Sequence, residues 1–407
     1  GRNHRQRILD GKFRVSGAVF DADGDRFYRL DYHPFRDEIL VLSGDETAFM
    51  QAQYLINLDP ARYKGATYIN TVESDLNAGV AAENMGFKLH LAAVGDKWIL
   101  LRIATLIAES RLKSSGNTKG ATSLQRELSA MRRAGILDAH KFCAFENKID
   151  RLGQKQDPQI PFAVGSEETG HNITLGWLDT EHGKRIAVFF GNGLKSALNT
   201  FSATTWLTRN KSVRAGFAYL ERPFIPGFKR TYYVYYVRKE LFYKDSALWK
   251  QVKRKLLDEA KKLSYLCRLS VFKEDPDMLY VTLKPQAKSK SQCAGIFVRN
   301  SGTENKIGVN LRCGSKDARK LQVAAERITH VLLASMKDRQ NHLYKMERSA
   351  LLQLKAKPQR EHEININTET RSRVLHEMKK QDLIRLTAKG FQLSPKGKWY
   401  ISLIDAD

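Results

Sequence analysis

Asp21-Ala22-Asp23-Gly24-Asp25-Arg26 follows directly on the apolar stretch Gly17-Ala18-Val19-Phe20. Three carboxylates alternate with small residues, so a loop that curls here brings three hard oxygen ligands to one centre. Arg26 stands beside them, placed to meet a phosphate. A calcium loop of the EF-hand kind closes with a bidentate Glu at its twelfth position. The twelfth residue counted from Asp21 is Tyr32. The pattern therefore favours a catalytic Mg²⁺ site, since Mg²⁺ is held by a few carboxylates plus a phosphate oxygen.

Upstream, Phe13 to Phe20 reads as a strand, with the acidic loop at its C-terminal end. Ligand sites of open α/β sheets gather at such ends. Downstream, Gly44-Asp45-Glu46 opens a helix through Phe49, Ala52, Tyr54 and Leu55, with Asp45 as its N-cap. Thr67 to Thr71 and Leu89 to Val94 read as strands and Asn77 to Met85 as a helix. Gly95-Asp96-Lys97 then turns into the apolar helix Trp98 to Ile107. That alternation predicts a parallel sheet. Residues 113–161 interrupt it with Ser114-Ser115-Gly116-Asn117, then Leu124, Leu128 and Met131 at helical spacing. We read them as an inserted loop with a helical piece. Phe162-Ala163-Val164-Gly165 resumes the domain, and Gly193 to Leu207 is a further helix.

A new region starts near Pro226. Thr231 to Val237 has the aromatic and β-branched content of a strand. Ser246 to Leu266 reads as an amphipathic helix, and Leu279–Leu283, Gly295–Val298 and Ile307–Leu311 as strands. Asp317 to Met336 is a closing helix, which completes an α+β domain. The tail from Leu343 onward differs. A helix over Thr370 to Lys380 precedes Leu383-Ile384-Arg385-Leu386, a Lys389-Gly390 turn and Phe391 to Gly397. This order resembles the last helix and wing of a winged-helix domain, a module that binds DNA or protein.

Composition sets the frame. The 407 residues, with 42% hydrophobic content, suffice for about two to four domains. No apolar run approaches the roughly 20 residues that span a bilayer, so no membrane association is expected. Gly1-Arg2-Asn3-His4-Arg5 is basic but has no apolar core after it, unlike a secretory signal. The first residue is Gly, which leads us to expect a chain processed, trimmed or cut from a larger product. Cys143, Cys267, Cys293 and Cys313 are scattered without metal-ligand spacing, so a reducing, cytoplasmic setting is expected. Lys and Arg total 68 against 44 Asp and Glu, a formal charge of +24 that by itself suits nucleic acid, a membrane surface or anionic metabolites.

Two further motifs carry chemistry. Gly165-Ser166-Glu167-Glu168-Thr169-Gly170-His171 sets acidic and hydroxyl side chains between glycines, where a carboxylate can accept from two vicinal sugar hydroxyls. Arg299-Asn300-Ser301-Gly302-Thr303-Glu304-Asn305-Lys306 lies between two strands. Its hydroxyls, Arg299 and the backbone N–H groups around Gly302 can form a phosphate nest. Each motif alone also fits a polar turn.

In this order the three resemble the α-D-phosphohexomutase superfamily, which includes phosphoglucomutase, phosphomannomutase and phosphoglucosamine mutase. The acidic loop matches the family's Asp-Gly-Asp-Gly-Asp-Arg, with Ala22 for the first Gly. Glu167, Thr169 and His171 match its Glu-x-Ser-Gly-His, Gly95-Asp96-Lys97 its Gly-Asp-Lys turn, and Arg299 to Glu304 its Arg-x-Ser-Gly-Thr-Glu. The resemblance covers roughly residues 13–340. It implies an α/β chain with mixed sheets: the end of the second domain over 1–60, the third, sugar-binding domain over 61–225 with an insertion at about 113–161, and the α+β fourth domain over 226–340. A small winged-helix-like domain over 341–407 departs from the family plan.

The resemblance also implies roles. Asp21, Asp23 and Asp25 would hold Mg²⁺, while Arg26, Lys97 and His171 would serve catalysis. Glu167 and Thr169 would hold sugar hydroxyls, and Arg299, Ser301, Gly302 and Thr303 the phosphate not being transferred. A hexose phosphate is the implied substrate, exchanging phosphate between its 1- and 6-positions, with a hexose 1,6-bisphosphate as intermediate or activator. The family's nucleophilic loop, Thr-Ala-Ser-His-Asn-Pro, has no match in this chain. The part carrying it, roughly 200 residues or more on the domain-size scale, is expected on an N-terminal segment or separate chain. The alternatives are a catalytically inactive sugar-phosphate-binding regulator whose basic tail binds DNA or a protein, and a purely structural interaction protein. The polar loops count against the last, since none of them helps a core.

Overall fold

The apolar stretch before the acidic loop is strand β1 (Ser16–Phe20), and the loop is a hairpin connection into β2 (Phe27–His33). With β3 (Glu38–Leu42) these form a three-stranded antiparallel sheet in the order β1-β2-β3. The computed structural model of the protein describes residues 2–134, 138–152, 161–179, 181, 185–285 and 294–404. The chain divides into two units, Gly1–Gly227 and Phe228–Asp407. No helix among the described residues is long and apolar enough to cross a membrane.

Neither β2 nor β3 is foreseen in the sequence, and β2 shows why. Its inward positions carry Arg29 and Asp31, both buried and paired through Arg29 Nε to Asp31 Oδ2 at 2.6 Å. A second guanidinium nitrogen donates to Asp31 Oδ1 at 3.1 Å, so the pair is bidentate. Buried charge hides the alternation that marks a half-buried strand. The helix Gly44–Leu58 follows. Its N-cap is Ser43, in a capping box with Glu46, and not Asp45 as expected. Asp45 sits inside the first turn, buried, where Oδ2 accepts the Asp75 backbone N–H at 2.8 Å.

The second sheet of this unit comprises β4 (Thr67–Thr71), β5 (Lys88–Ala92), β6 (Phe162–Ser166), β7 (Asn172–Asp179) and β8 (Arg185–Gly191), in the order β5-β4-β6-β7-β8. It is parallel across β5, β4 and β6, as the alternation predicts, but β7 and β8 add an antiparallel half. Ala48, Ala52 and Ile56 of the helix Gly44–Leu58 pack with Tyr68 and Val164. Ile99 and Ile103 of the helix Asp96–Lys113 pack with Ile69, Phe162 and Ile173. The interrupting segment holds two helices, Thr118–Ala134 and Ala139–Asp150. They share a small core of Leu112, Leu124, Leu128, Phe142, Phe145 and Ile149. Residues 135–137 and 153–160 of that segment lie outside the described residues.

In the second unit β9 (Phe228–Tyr235), β10 (Tyr265–Ser270), β11 (Leu279–Pro285), β12 (Ala294–Asn300) and β13 (Lys306–Cys313) form an antiparallel sheet in the order β10-β11-β12-β13-β9. The helix expected to reach Leu266 ends at Lys262, and Ser264 turns the chain at φ +60° into β10. Beyond the helix Ala318–Met336 come helices His342–Ala356 and Thr368–Lys380, the hairpin β14 (Ile384–Thr387) and β15 (Gly390–Leu393), and the helix Pro395–Ile404. Leu351, Leu375, Met378 and Tyr400 of this last part join Val234, Ile328 and Met336 in one hydrophobic core.

Candidate functional site

The acidic loop gathers its carboxylates. One oxygen from each of Asp21, Asp23 and Asp25 lies within 4.8 Å of the others. The loop is held closed by Arg26 N–H donating to Asp21 Oδ1 at 3.2 Å and Gly24 N–H donating to the Asp21 carbonyl at 3.2 Å. Arg26 Nε stands 3.7 Å from Asp21 Oδ2 and 3.9 Å from Asp25 Oδ1. Asp21 and Asp23 are exposed and Asp25 is half-buried. Burial pushes the Asp25 carboxyl above its usual range, and His171 opposes the shift. Asp25 Oδ1 is a buried oxygen without a hydrogen-bond partner. An all-oxygen donor set with a buried acceptor still to be satisfied fits a hard divalent cation.

The turn Glu167 to His171, between β6 and β7, docks against this loop. Phe27 N–H donates to the Gly170 carbonyl at 3.2 Å, and Gly44 N–H to the Glu168 carbonyl at 3.0 Å. On the other flank Gly193 N–H donates to the Gly24 carbonyl at 3.0 Å. The approach requires bare backbone. A Cβ at Gly44 would lie 1.9 Å from the Glu167 carbonyl oxygen, and one at Gly191 would lie 1.5 Å from His171 Nε2. His171 is buried, with Nδ1 3.3 Å from Asp25 Oδ2. The imidazole therefore braces a carboxylate of the acidic loop.

Glu167 is buried, and its Oε1 accepts the Gly95 backbone N–H at 2.9 Å. Burial raises the Glu167 carboxyl above its usual range, while the Gly95 N–H and His171 pull it down. A cleft of about 400 Å³ opens here, lined by Arg26, Glu167 and Thr169 together with Tyr28, Ser43, Thr71, Glu73 and Gly95. Lys97 is exposed, its Nζ 4.7 Å from the Trp98 ring centre, and it is not among the lining residues. Its turn contributes Gly95 and Asp96 instead. Sequence reasoning missed Tyr28, Ser43, Thr71 and Glu73. Two signals were present: Ser43-x-x-Glu46 is a capping-box pattern, and Thr71 ends a parallel strand with Glu73 just beyond it.

The third motif belongs to the second unit. Arg299 is the last residue but one of β12 and donates from Nε to Asp275 Oδ2 at 3.2 Å. Ser301 N–H donates to the Lys306 carbonyl at 2.9 Å, its hydroxyl accepts Glu304 N–H at 3.2 Å, and its carbonyl accepts Lys239 Nζ at 2.5 Å. Gly302 and Thr303 form the exposed tip, with open space where a Cβ of Gly302 would stand. Lys306 pairs with Glu304 across the loop.

No protein-family model matches the chain. It is 31% identical over 96 residues to the phosphoglucosamine mutase of Syntrophobacter fumaroxidans, covering 24% of this chain and 20% of that protein. To the phosphoglucosamine mutase of Bacillus pumilus it is 25% identical over 186 residues, 46% of this chain and 28% of that protein. Over these segments the chain is similar in sequence to phosphoglucosamine mutases. Solved structures that resemble it include a phosphoglucomutase/phosphomannomutase family protein from Burkholderia thailandensis, at 14% identity and a TM-score of 0.40 over 82% of this chain and 50% of that one. Another is parafusin, a phosphoglucomutase from Paramecium, at 14% identity and a TM-score of 0.41 over 81% and 49%. The chain thus spans about half the length of these two phosphohexomutase structures. The sequence matches cover less than a third of the two curated relatives.

Proposed function

We propose that this chain carries the metal, sugar and distal-phosphate sites of a phosphohexomutase. It would act together with a serine-bearing N-terminal part that its sequence does not contain. The observation that carries the reading is the docking of the Glu167–His171 turn on the acidic loop, with His171 against Asp25 and Arg26 and Glu167 lining one cleft.

In this reading Asp21, Asp23 and Asp25 hold Mg²⁺, which when bound neutralises charge on the phosphoryl group in transfer. Arg26, positioned by Asp21 and Asp25, meets the oxygens of that group. Glu167, fixed by the Gly95 N–H, accepts hydrogen bonds from sugar hydroxyls, and Thr169 adds a hydroxyl of its own. His171 holds Asp25 in place, and Lys97 reaches the sugar or its phosphate. Arg299, Ser301, Gly302 and Thr303 grip the phosphate that is not transferred, remote binding that favours the reacting geometry. A phosphoserine on the missing part gives its phosphoryl group to the hexose phosphate. The bisphosphorylated sugar reorients and returns its other phosphate to the serine.

The test has two arms. Calorimetric titration of the chain with glucose, mannose and glucosamine 6-phosphates in Mg²⁺ should show binding that Asp23→Asn and Glu167→Gln each weaken. Mutase assays with the serine-bearing part added should then show turnover. Binding without turnover in any combination would favour the regulatory reading, in which the tail contacts DNA or protein. Absence of binding to all three sugars would overturn both.

A further inference from the structure

We propose that the C-terminal part of the second unit holds a pocket for a small, multiply charged organic phosphate. The pocket, of about 430 Å³, lies between the end of the helix His342–Ala356, the hairpin β14–β15 and the helix Pro395–Ile404. Lys355 and Lys357 line it from the first, Arg385 from the hairpin and Lys398 from the last helix, and no carboxylate lines it. Arg385 stands opposite Gln392 in the hairpin register, so the two share a face. Lys398 and Ser402 are one helical turn apart, which aims both at the same space. Leu354, Leu393 and Ile401 are buried and make its apolar wall.

The missing counter-charge at three of the four cations is the telling feature. Elsewhere in this unit cations gather on an acid: Lys255, Lys262 and Arg327 all reach Glu259. Lys357, Arg385 and Lys398 form no ion pair among the described residues. Like charges converging on one concavity repel, and an anion relieves that repulsion. A phosphate suits the set, because the Arg fork binds two oxygens and each Lys adds a point charge. The volume falls within the roughly 300–1,000 Å³ of small-molecule sites. It leaves room for an organic portion against the apolar wall, with Gln392 and Ser402 as neutral hydrogen-bonding groups.

A nucleic-acid backbone is the other source of phosphate. It would be tracked by cations in a row along an open groove. Here the cations close on a single hollow, which favours the small ligand. The pocket shares no residue with the proposed mutase site.

The test uses the full chain carrying Asp23→Asn and Arg299→Gln, so that the proposed mutase site contributes little phosphate binding. Inorganic pyrophosphate is the probe, titrated calorimetrically with and without a short DNA duplex. Binding is expected, weakened at least tenfold by Arg385→Gln/Lys398→Gln and unchanged by the charge-matched surface pair Lys316→Gln/Arg319→Gln. Thermal melts check that each variant folds. Undetectable pyrophosphate binding, or binding indifferent to the Arg385 and Lys398 changes, overturns the proposal. Duplex DNA that binds through Arg385 and Lys398 and is not displaced by pyrophosphate overturns it in favour of nucleic acid. Because the proposed mutase site is disabled in this background, failure here leaves the mutase reading standing, and the reverse also holds.

Discussion

His171 reaches Asp25 because residue 191 has no side chain: a Cβ there would sit 1.5 Å from His171 Nε2. Gly191→Ala should therefore push the ring off Asp25 while leaving all three loop carboxylates in the chain. Outer partners of metal ligands typically change affinity about 10–100-fold. We expect Mn²⁺ binding, read by electron paramagnetic resonance, to weaken at least roughly tenfold in both Gly191→Ala and His171→Ala. Overpacking should cost the first variant about 1–3 kcal/mol. Unchanged Mn²⁺ affinity in either variant would show that the imidazole does not orient the loop. Glu167 offers a second test at this scale. Its carboxyl is raised chiefly by burial, so the native state keeps the proton to higher pH than the unfolded chain does. Native protein then binds more protons in the window between the ordinary and raised values, and this group's contribution to stability falls as pH climbs through it. Urea unfolding of Glu167→Gln should accordingly gain on the parent as pH rises through that window. Two curves that run parallel would show that burial does not tune this carboxylate.

At the scale of elements, the second unit is fastened to its last helices by a buried polar cluster. Lys337 Nζ donates to Glu347 and, at 2.9 Å, to Gln381 Oε1, while Gln381 Nε2 donates to Glu347 Oε2 at 2.6 Å. The rings of Tyr236, Tyr344 and Tyr400 surround the ammonium at 5.2, 5.7 and 5.8 Å. Burial lowers the Lys337 pKa and Glu347 holds it up. Removing one partner strands a buried charge, so Glu347→Ala should cost about 3–5 kcal/mol in thermal or urea unfolding. Lys337→Met/Glu347→Leu should recover most of it, because an apolar pair of similar volume avoids desolvating either ion. A double variant no better than Glu347→Ala would mean that the cluster is not the fastening. No sequence pattern announces such a cluster, since its members lie 10 and 44 residues apart. What the sequence does announce are strands and helices whose apolar spacing is uninterrupted, such as β11, β12 and the helix Ala318–Met336. The acidic loop and the Glu167–His171 turn were equally legible, because short polar motifs keep their residue types in order. Strand β2 was not, because Arg29 and Asp31 occupy its buried positions, and neither was Asp45 as a buried acceptor inside a helix that Ser43 caps.

At the scale of the molecule, the sheet β1-β2-β3 has two unlike faces. One face buries Phe27, Arg29 and Asp31. On the other, Val41 lies opposite Leu30 in register and two residues from Ile39, which places the three on one face. Val19, Ile39 and Val41 are 51%, 57% and 55% exposed, and β1 and β3 are both edge strands. Clustered apolar exposure on a sheet with open edges marks an interaction surface. The occupant we propose is the serine-bearing part of the mutase reading, because this sheet carries the acidic loop that its phosphoserine would face. Val19→Lys/Val41→Lys should then leave the chain's own unfolding free energy within about 0.5 kcal/mol, as surface changes do. Mn²⁺ binding should also be unchanged, since neither side chain is a ligand. On the proposed reading, capture of a serine-bearing part, followed by analytical ultracentrifugation, should be lost, and mutase turnover with it. The same variant should reduce any self-association of the chain by itself, because two copies would meet through these same edges. Retained capture and turnover in Val19→Lys/Val41→Lys would show that the proposed serine-bearing part docks elsewhere, and the exposed face would then need a different occupant.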